Sequence, residues 1–307
     1  MNYDIKISNN YEGQGKLELS RVAFLSSHIK RIAQKALLLQ LFGYSKVSLP
    51  AKYRHYLNIF LTENKAGNTE TLITLDSDNL HNLPVQLNAF RDKTALQNQT
   101  PVSLVIKTFR AALTEEEDKN LLDEPLIDEL IQFKNFFNND QEIIQLSNRG
   151  TVPEVSFNQR GIDKIEALYK SIPDPKKEII NGVIDEMKFS RKQLVLVTEH
   201  KQKVVVIPPS ANILTEIKDF FGQEITITGM AHFKPGGQLS YLVMEKFGKP
   251  GKADKLFSKK PDQMDMQQQI ALQMREGKKK NPLDDVFGHW PGQETEEEFE
   301  QMMKNLK

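Results

Sequence analysis

The chain contains no cysteine, a single tryptophan and no net charge. Without cysteine there is no disulfide framework, no thiol nucleophile and no cysteine-ligated zinc. With 41 Lys and Arg against 41 Asp and Glu, no global field draws the chain to nucleic acid or to an anionic membrane. Long apolar runs are missing as well. Nothing approaches the ~20 residues of a membrane span, and the opening MNYDIKISNNYEG is no signal peptide, so a soluble, cytoplasmic chain is expected. At 307 residues and 39% hydrophobic, the chain is long enough for two domains, because single cores stop growing near ~250 residues.

Charge is distributed in blocks. Residues 115–142 carry ten acidic side chains against Lys119 and Lys134, residues 188–280 carry 17 basic against 9 acidic, and residues 281–307 carry 7 acidic against 2 basic. Such blocks mark segments with different surroundings.

The pattern over 1–172 predicts an α+β domain. A strand is expected at 3–7. Ser20 is placed to cap a helix over 20–42 that ends before Gly43, and Val22, Leu25, Ile29, Ile32, Ala36 and Leu39 form its apolar stripe. Alternating runs at 56–62 and 70–75, with a turn at Gly67-Asn68, predict a β-hairpin that covers this stripe. Thr100-Pro101 opens a further helical region over 101–138, its second part carrying an acidic face, and a weaker helix is expected at 163–169. Pro173-Asp174-Pro175 then breaks the chain.

From 176 to 247 the period changes to two. Strands are expected at 178–189, 193–199, 203–207, 224–233 and 238–247, with a helix from Ser210 to Phe221 before the last two. Five strands and one short helix predict a small five-stranded barrel, OB-like or SH3-like. Residues 248–280 read as a basic linker, extended or partly helical, and 281–307 as an amphipathic helical tail.

No constellation for chemistry emerges. His28, His55, His81, His200, His232 and His289 are scattered without ligand spacing, so no metal site is expected. Gly13-Gln14-Gly15 lacks the rest of a phosphate loop, no Gly-x-Ser-x-Gly occurs, and Asp185-Glu186 face opposite sides of a strand. The reading is therefore of a chain that is not an enzyme and needs no cofactor.

Two surfaces remain. Lys188, Arg191 and Lys192 at one hairpin, and His200, Lys201 and Lys203 at the next, would give the barrel a basic face for nucleic acid, with Phe189 and Phe233 as stacking platforms. The tail is the stronger candidate. Asn281-Pro282 starts a short turn presenting Leu283, Val286 and Phe287; Trp290 follows. Thr295-Glu296-Glu297-Glu298 is a capping box, and the helix behind it aligns Phe299, Met302, Met303 and Leu306 at i, i+3, i+4 and i+7. So short a helix is marginal alone in water, and a groove on another protein is its expected cover, although docking back onto this chain would also bury it.

The run Gly288-His289-Trp290-Pro291-Gly292-Gln293-Glu294-Thr295-Glu296-Glu297-Glu298-Phe299 resembles a G-x-W-x-G-D-E-T/S-D-E-E-I tail common on bacterial antitoxin-like proteins. The stretch Thr228-Gly229-Met230-Ala231-His232-Phe233-Lys234-Pro235-Gly236-Gly237 is similar to a T-G-x-A-x-F-x-P-S-G barrel segment in a family of bacterial proteins of about 300 residues, with Gly236 where that family tends to have Ser. The resemblance implies a toxin–antitoxin system, in which the tail binds and neutralises a PIN-domain ribonuclease toxin. It carries over no catalytic residue, and the sequence leaves the oligomeric state open.

Overall fold

The computed structural model describes residues 1–13, 15–46, 49–66, 70–83, 96–115, 117–148, 154–189, 192–251 and 254–263. Met1–Gln263 form one compact unit of mixed α and β structure with two main hydrophobic cores.

The first core sits on a five-stranded antiparallel sheet of β1 (Asn2–Ser8), β2 (Phe60–Ala66), β3 (Glu70–Asp76), β4 (Ile143–Asn148) and β5 (Val155–Phe157), in the order β2-β3-β1-β4-β5. Alternation sets the register. Ile5 of β1 lies across from Ile73 and Leu146, and Ile7 across from Ile144, so one face is a continuous apolar row. Helices α1 (Leu19–Phe42), α2 (Pro101–Leu113), α3 (Glu124–Ile131) and α4 (Gln159–Lys170) contribute the rest of this core. Thr100 and Ser103 form a reciprocal capping box at the start of α2, and the Thr100 hydroxyl also donates to the Tyr3 hydroxyl at 2.7 Å, fixing the helix to the sheet.

Several expectations change here. Helix α1 starts at Leu19 behind Glu18, with no side-chain cap, so Ser20 is its second residue and does not cap it. Gly43 does close it, in the left-handed conformation at φ 82°. The run at 56–62 splits into the end of a 3-10 turn (Ala51–Leu57) and the start of β2, which is exposed along its whole length; α1 packs chiefly against α2 and α3. The turn at Gly67-Asn68 lies outside the described residues. Strands β4 and β5 were not expected. Glu129 of α3 is buried rather than part of a solvated acidic face.

The second core is a closed barrel of β6 (Lys176–Lys188), β7 (Gln193–Val197), β8 (Lys203–Ile207), β9 (Glu224–Phe233) and β10 (Leu239–Gly248), in the order β10-β8-β7-β6-β9. All neighbours are antiparallel except β8 and β10, which pair in parallel through Leu242–Val206 and Val243–Ile207. Helix α5 (Ala211–Ile217) intervenes between β8 and β9 and puts Leu214 and Ile217 into the core. Strands β9 and β10 approach closely at Gly229, where a Cβ would clash with the Val243 carbonyl oxygen.

Of the expected linker over 248–280, only residues 248–251 and 254–263 are described, and these hydrogen-bond to the barrel. Thr226 and the Gly251 amide donate to Asp254, Ser258 donates to Asn181, the Lys260 amide donates to Gln202, and the Gln263 amide donates to the Gly237 carbonyl at 2.8 Å. Residues 254–263 are thus strapped across the barrel. No helix among the described residues is long and apolar enough to cross a membrane.

Candidate functional site

Leu283, Val286, Phe287, Trp290, Phe299, Met302, Met303 and Leu306 all lie outside the described residues, as does Arg191. The remaining basic candidates do not converge. Lys188 and Lys192 flank the β6–β7 hairpin, whereas His200 and Lys201 form the β7–β8 turn at the opposite end of β7. Five residues of strand separate them, roughly 16 Å at the usual rise. Lys188 pairs with Glu186 at 2.5 Å and Lys203 with Asp185 at 3.4 Å. Lys192 and Lys201 have φ of 49° and 58°, the turn conformation that shapes each hairpin. Phe189 is exposed, but Phe233 is only 3% exposed and belongs to the barrel core, so it offers no stacking face. The wall between the hairpins is closed as well: Val195 and Val205, which alternate out of the barrel core, are both buried.

The 228–237 stretch is chiefly a fold-building segment. Gly229 permits strand closure, Ala231 and Phe233 fill the core, and Gly237 takes φ 77° in the β9–β10 turn. His232 points outward and stacks on Tyr241, with ring centroids 4.6 Å apart.

That stack marks the junction between the two cores. Tyr44, one residue beyond the Gly43 cap, packs with Val205 and Tyr241, its ring centroid 5.4 Å from that of Tyr241. Asp123, buried at the start of α3, accepts from the Ser45 amide at 2.6 Å, the Ser45 hydroxyl at 2.7 Å and the Leu126 amide at 3.2 Å. Burial raises its carboxyl above the ordinary range, and the Ser45 hydrogen bonds and the Lys234 charge pull it back. Burial pushes the Tyr241 phenol up to about 12, with Glu124 and Asp123 adding to the rise, and burial lowers His232. The β9–β10 turn meets the segment between α2 and α3 at Gly236, where a Cβ would lie 2.7 Å from Asn120 Oδ1, and Lys234 donates to the Asn120 carbonyl at 3.0 Å. Between these groups lies a polar cavity of about 170 Å³, lined by Lys203, Lys234 and Lys260, by Asp118 and Asn120, and by Ser240.

Two other features escaped the sequence reading. His28 Nδ1 lies 2.6 Å from Glu129 Oε1, its ring stacks on Phe24, and Arg31 and Lys35 surround the carboxylate. The other ring nitrogen faces Arg31 at 3.4 Å. The cluster therefore joins α1 to α3 and leaves the His–Glu pair no free nitrogen for a substrate. An apolar groove of about 350 Å³ opens between α1 and the edge of the sheet, lined by Val22, Leu25, Ile29, Leu61, Ile73 and Leu75 among others. Both sites join residues too far apart in the chain for any local pattern to signal them. No group of three or more His, Asp or Glu among the described residues is arranged to hold a metal ion.

Comparison of the chain with protein families, with curated proteins and with solved structures gives no significant match.

Proposed function

We propose that this chain is a non-catalytic binding protein of antitoxin type, a two-core body that offers its tail to a partner protein. By the resemblance of the tail, that partner is a PIN-domain ribonuclease. One feature of the sequence carries the reading: behind Thr295-Glu296-Glu297-Glu298, Phe299, Met302, Met303 and Leu306 follow the i, i+3, i+4, i+7 spacing of an amphipathic helix close in sequence to the sole tryptophan, and so short a helix would not be stable alone. Aromatic anchors seated beside the ribonuclease groove exclude RNA, while the acidic run 294–298 faces the basic rim that RNA would occupy.

Co-expression with a PIN-domain ribonuclease toxin tests the proposal. Wild type restores growth, and Trp290→Ala with Phe299→Ala does not; equal rescue by both forms counts against it. The rival cover for the tail is the chain's own groove between α1 and the sheet edge. That alternative predicts Trp290 emission already blue-shifted in the isolated protein and unchanged on adding partner.

A second reading, nucleic-acid binding, is favoured by the barrel's connectivity. A three-strand meander, a helix before the fourth strand and a parallel pairing of third and fifth strands support an OB-like reading of the barrel over an SH3-like one. Exposed Phe189 beside Lys188 and Lys192 would be its contact point. This reading requires salt-dependent retention of the full chain on single-stranded DNA or RNA that falls when both lysines become Ala.

A further inference from the structure

We propose that the polar cavity at the junction of the two cores is a binding site for a phosphate group, either inorganic phosphate or the terminal phosphate of a small metabolite. The site is independent of the tail. It draws on four separate parts of the chain: Lys203 from β8, Lys234 from the β9–β10 turn, Lys260 from the strap behind β10, and Asp118 with Asn120 from the first domain, while Ser240 forms its floor on β10.

Charge is the first argument. Three ammonium groups line the cavity against one lining carboxylate, Asp118, whose Oδ1 accepts from the Asn120 amide and side chain at 3.0 and 2.9 Å. Lys203 reaches Asp185, itself partly exposed, and Lys234 reaches the Asn120 carbonyl, so these two are held in place by the protein. Lys260 is different. It is half-buried, its amide rather than its ammonium makes the bond to Gln202, and burial alone lowers its pKa, with no neighbouring carboxylate acting to raise it. A desolvated ammonium without a counter-charge is costly unless an anion joins it.

Unsatisfied polar atoms are the second argument. Ser240, 7% exposed, has its hydroxyl buried without a hydrogen-bond partner, and Asn120 Oδ1 is likewise buried and unpartnered. The Asn120 side-chain bond to Asp118 fixes which end of the amide is oxygen, so the orphan is an acceptor. An ideal occupant accepts from several ammonium groups and a hydroxyl and also donates one hydrogen bond. Hydrogen phosphate does both through its P–O and P–OH groups, and the terminal phosphate of a metabolite does so when bound as its singly protonated monoanion. Sulfate has no proton to donate at neutral pH, and neither does a phosphodiester. The cavity of about 170 Å³ holds on the order of five waters, enough for a tetrahedral anion with residual hydration.

Binding by the full chain is measured from phosphorus NMR line broadening and from melting temperature, with inorganic phosphate, AMP, sulfate and a short single-stranded RNA at matched ionic strength. Phosphate is expected to broaden and to raise the melting temperature, and Lys260→Met and Ser240→Ala each weaken binding at least tenfold. In phosphate-free buffer Lys260→Met melts no lower than wild type, because it deletes a half-buried ammonium that has no carboxylate partner; this separates loss of the ligand from loss of the fold. Competition by AMP marks an esterified phosphate as the ligand, and competition by inorganic phosphate alone marks the free anion; either sustains the site. Equal stabilisation by sulfate overturns the proposal, as does undiminished binding by Lys260→Met or RNA binding that phosphate does not compete.

Discussion

The two cores of this chain solve the packing problem with different materials. The first is built on large rings: Phe109 stacks on Phe157 at 4.3 Å and meets Phe133 edge-on at 5.1 Å, and Arg21 lies over Phe136 while pairing with the fully buried Glu142. The second is mainly aliphatic, with Ile180, Ile184, Val204, Val206, Ile225 and Ile227 among five leucines and a single buried ring, Phe233, and has a close backbone approach at Gly229. A ring-based core concentrates its stability in a few side chains, whereas a barrel of small branched residues spreads it over many.

The contrast is tested most strongly by Phe109→Ala. Removing a ring in contact with two others is expected to cost about 3–5 kcal/mol. Ile227→Val in the barrel is expected to cost only about 0.5–1.5 kcal/mol. Urea unfolding of both variants measures the difference, and equal losses would erase the distinction. Next in size is the joint between the cores. Tyr44→Ala is expected to cost about 2–3 kcal/mol and to turn one unfolding transition into two, seen as divergence between near-ultraviolet and far-ultraviolet circular dichroism. A single coincident transition would show that the cores are coupled elsewhere.

The smallest effect is one of pH. Burial lowers His28 in the first core and His232 at the joint below the ordinary 6.5, so the unfolded chain binds more protons in the window beneath 6.5. Stability is therefore complete above pH 6.5 and declines as pH falls below it. Asp123, raised by burial, works in the opposite sense from 3.8 upward. Comparing wild type with His28→Gln and His232→Gln isolates each ring: both variants should lose less stability than wild type between pH 7.5 and 5.5. A wild-type midpoint that is level across that range, with variants that behave the same, contradicts the assignment.

Much of this architecture is legible in the sequence where local pattern and tertiary demand agree. The α1 stripe, Gly43, the Thr100-Pro101 start and the strand bounds 203–207 and 224–233 all follow from periodicity and turn chemistry. Strands β4 and β5 are harder to see, being six and three residues long; β4 takes its place from β1, more than a hundred positions away, and β5 from β4. The strap at 254–263 is held mainly by hydrogen bonds from polar side chains, which leave no periodicity to read. Of the candidate sites, the basic hairpins are visible as composition, but their placement at opposite ends of β7 is a matter of topology. Lys203, Lys234 and Lys260 meet only because the barrel closes and the strap returns over it.

The parallel seam between β8 and β10 also sets an order of events during synthesis. The last strand of the N-terminal sheet, at 155–157, leaves the ribosome before any barrel strand, so its aromatic interior can condense while the rest of the chain is still being made. The barrel has no such freedom: its seam waits for Leu242 and Val243, and until they arrive β8 keeps an open margin. The phosphate cavity, needing the strap as well, is the last part of the body to come into being.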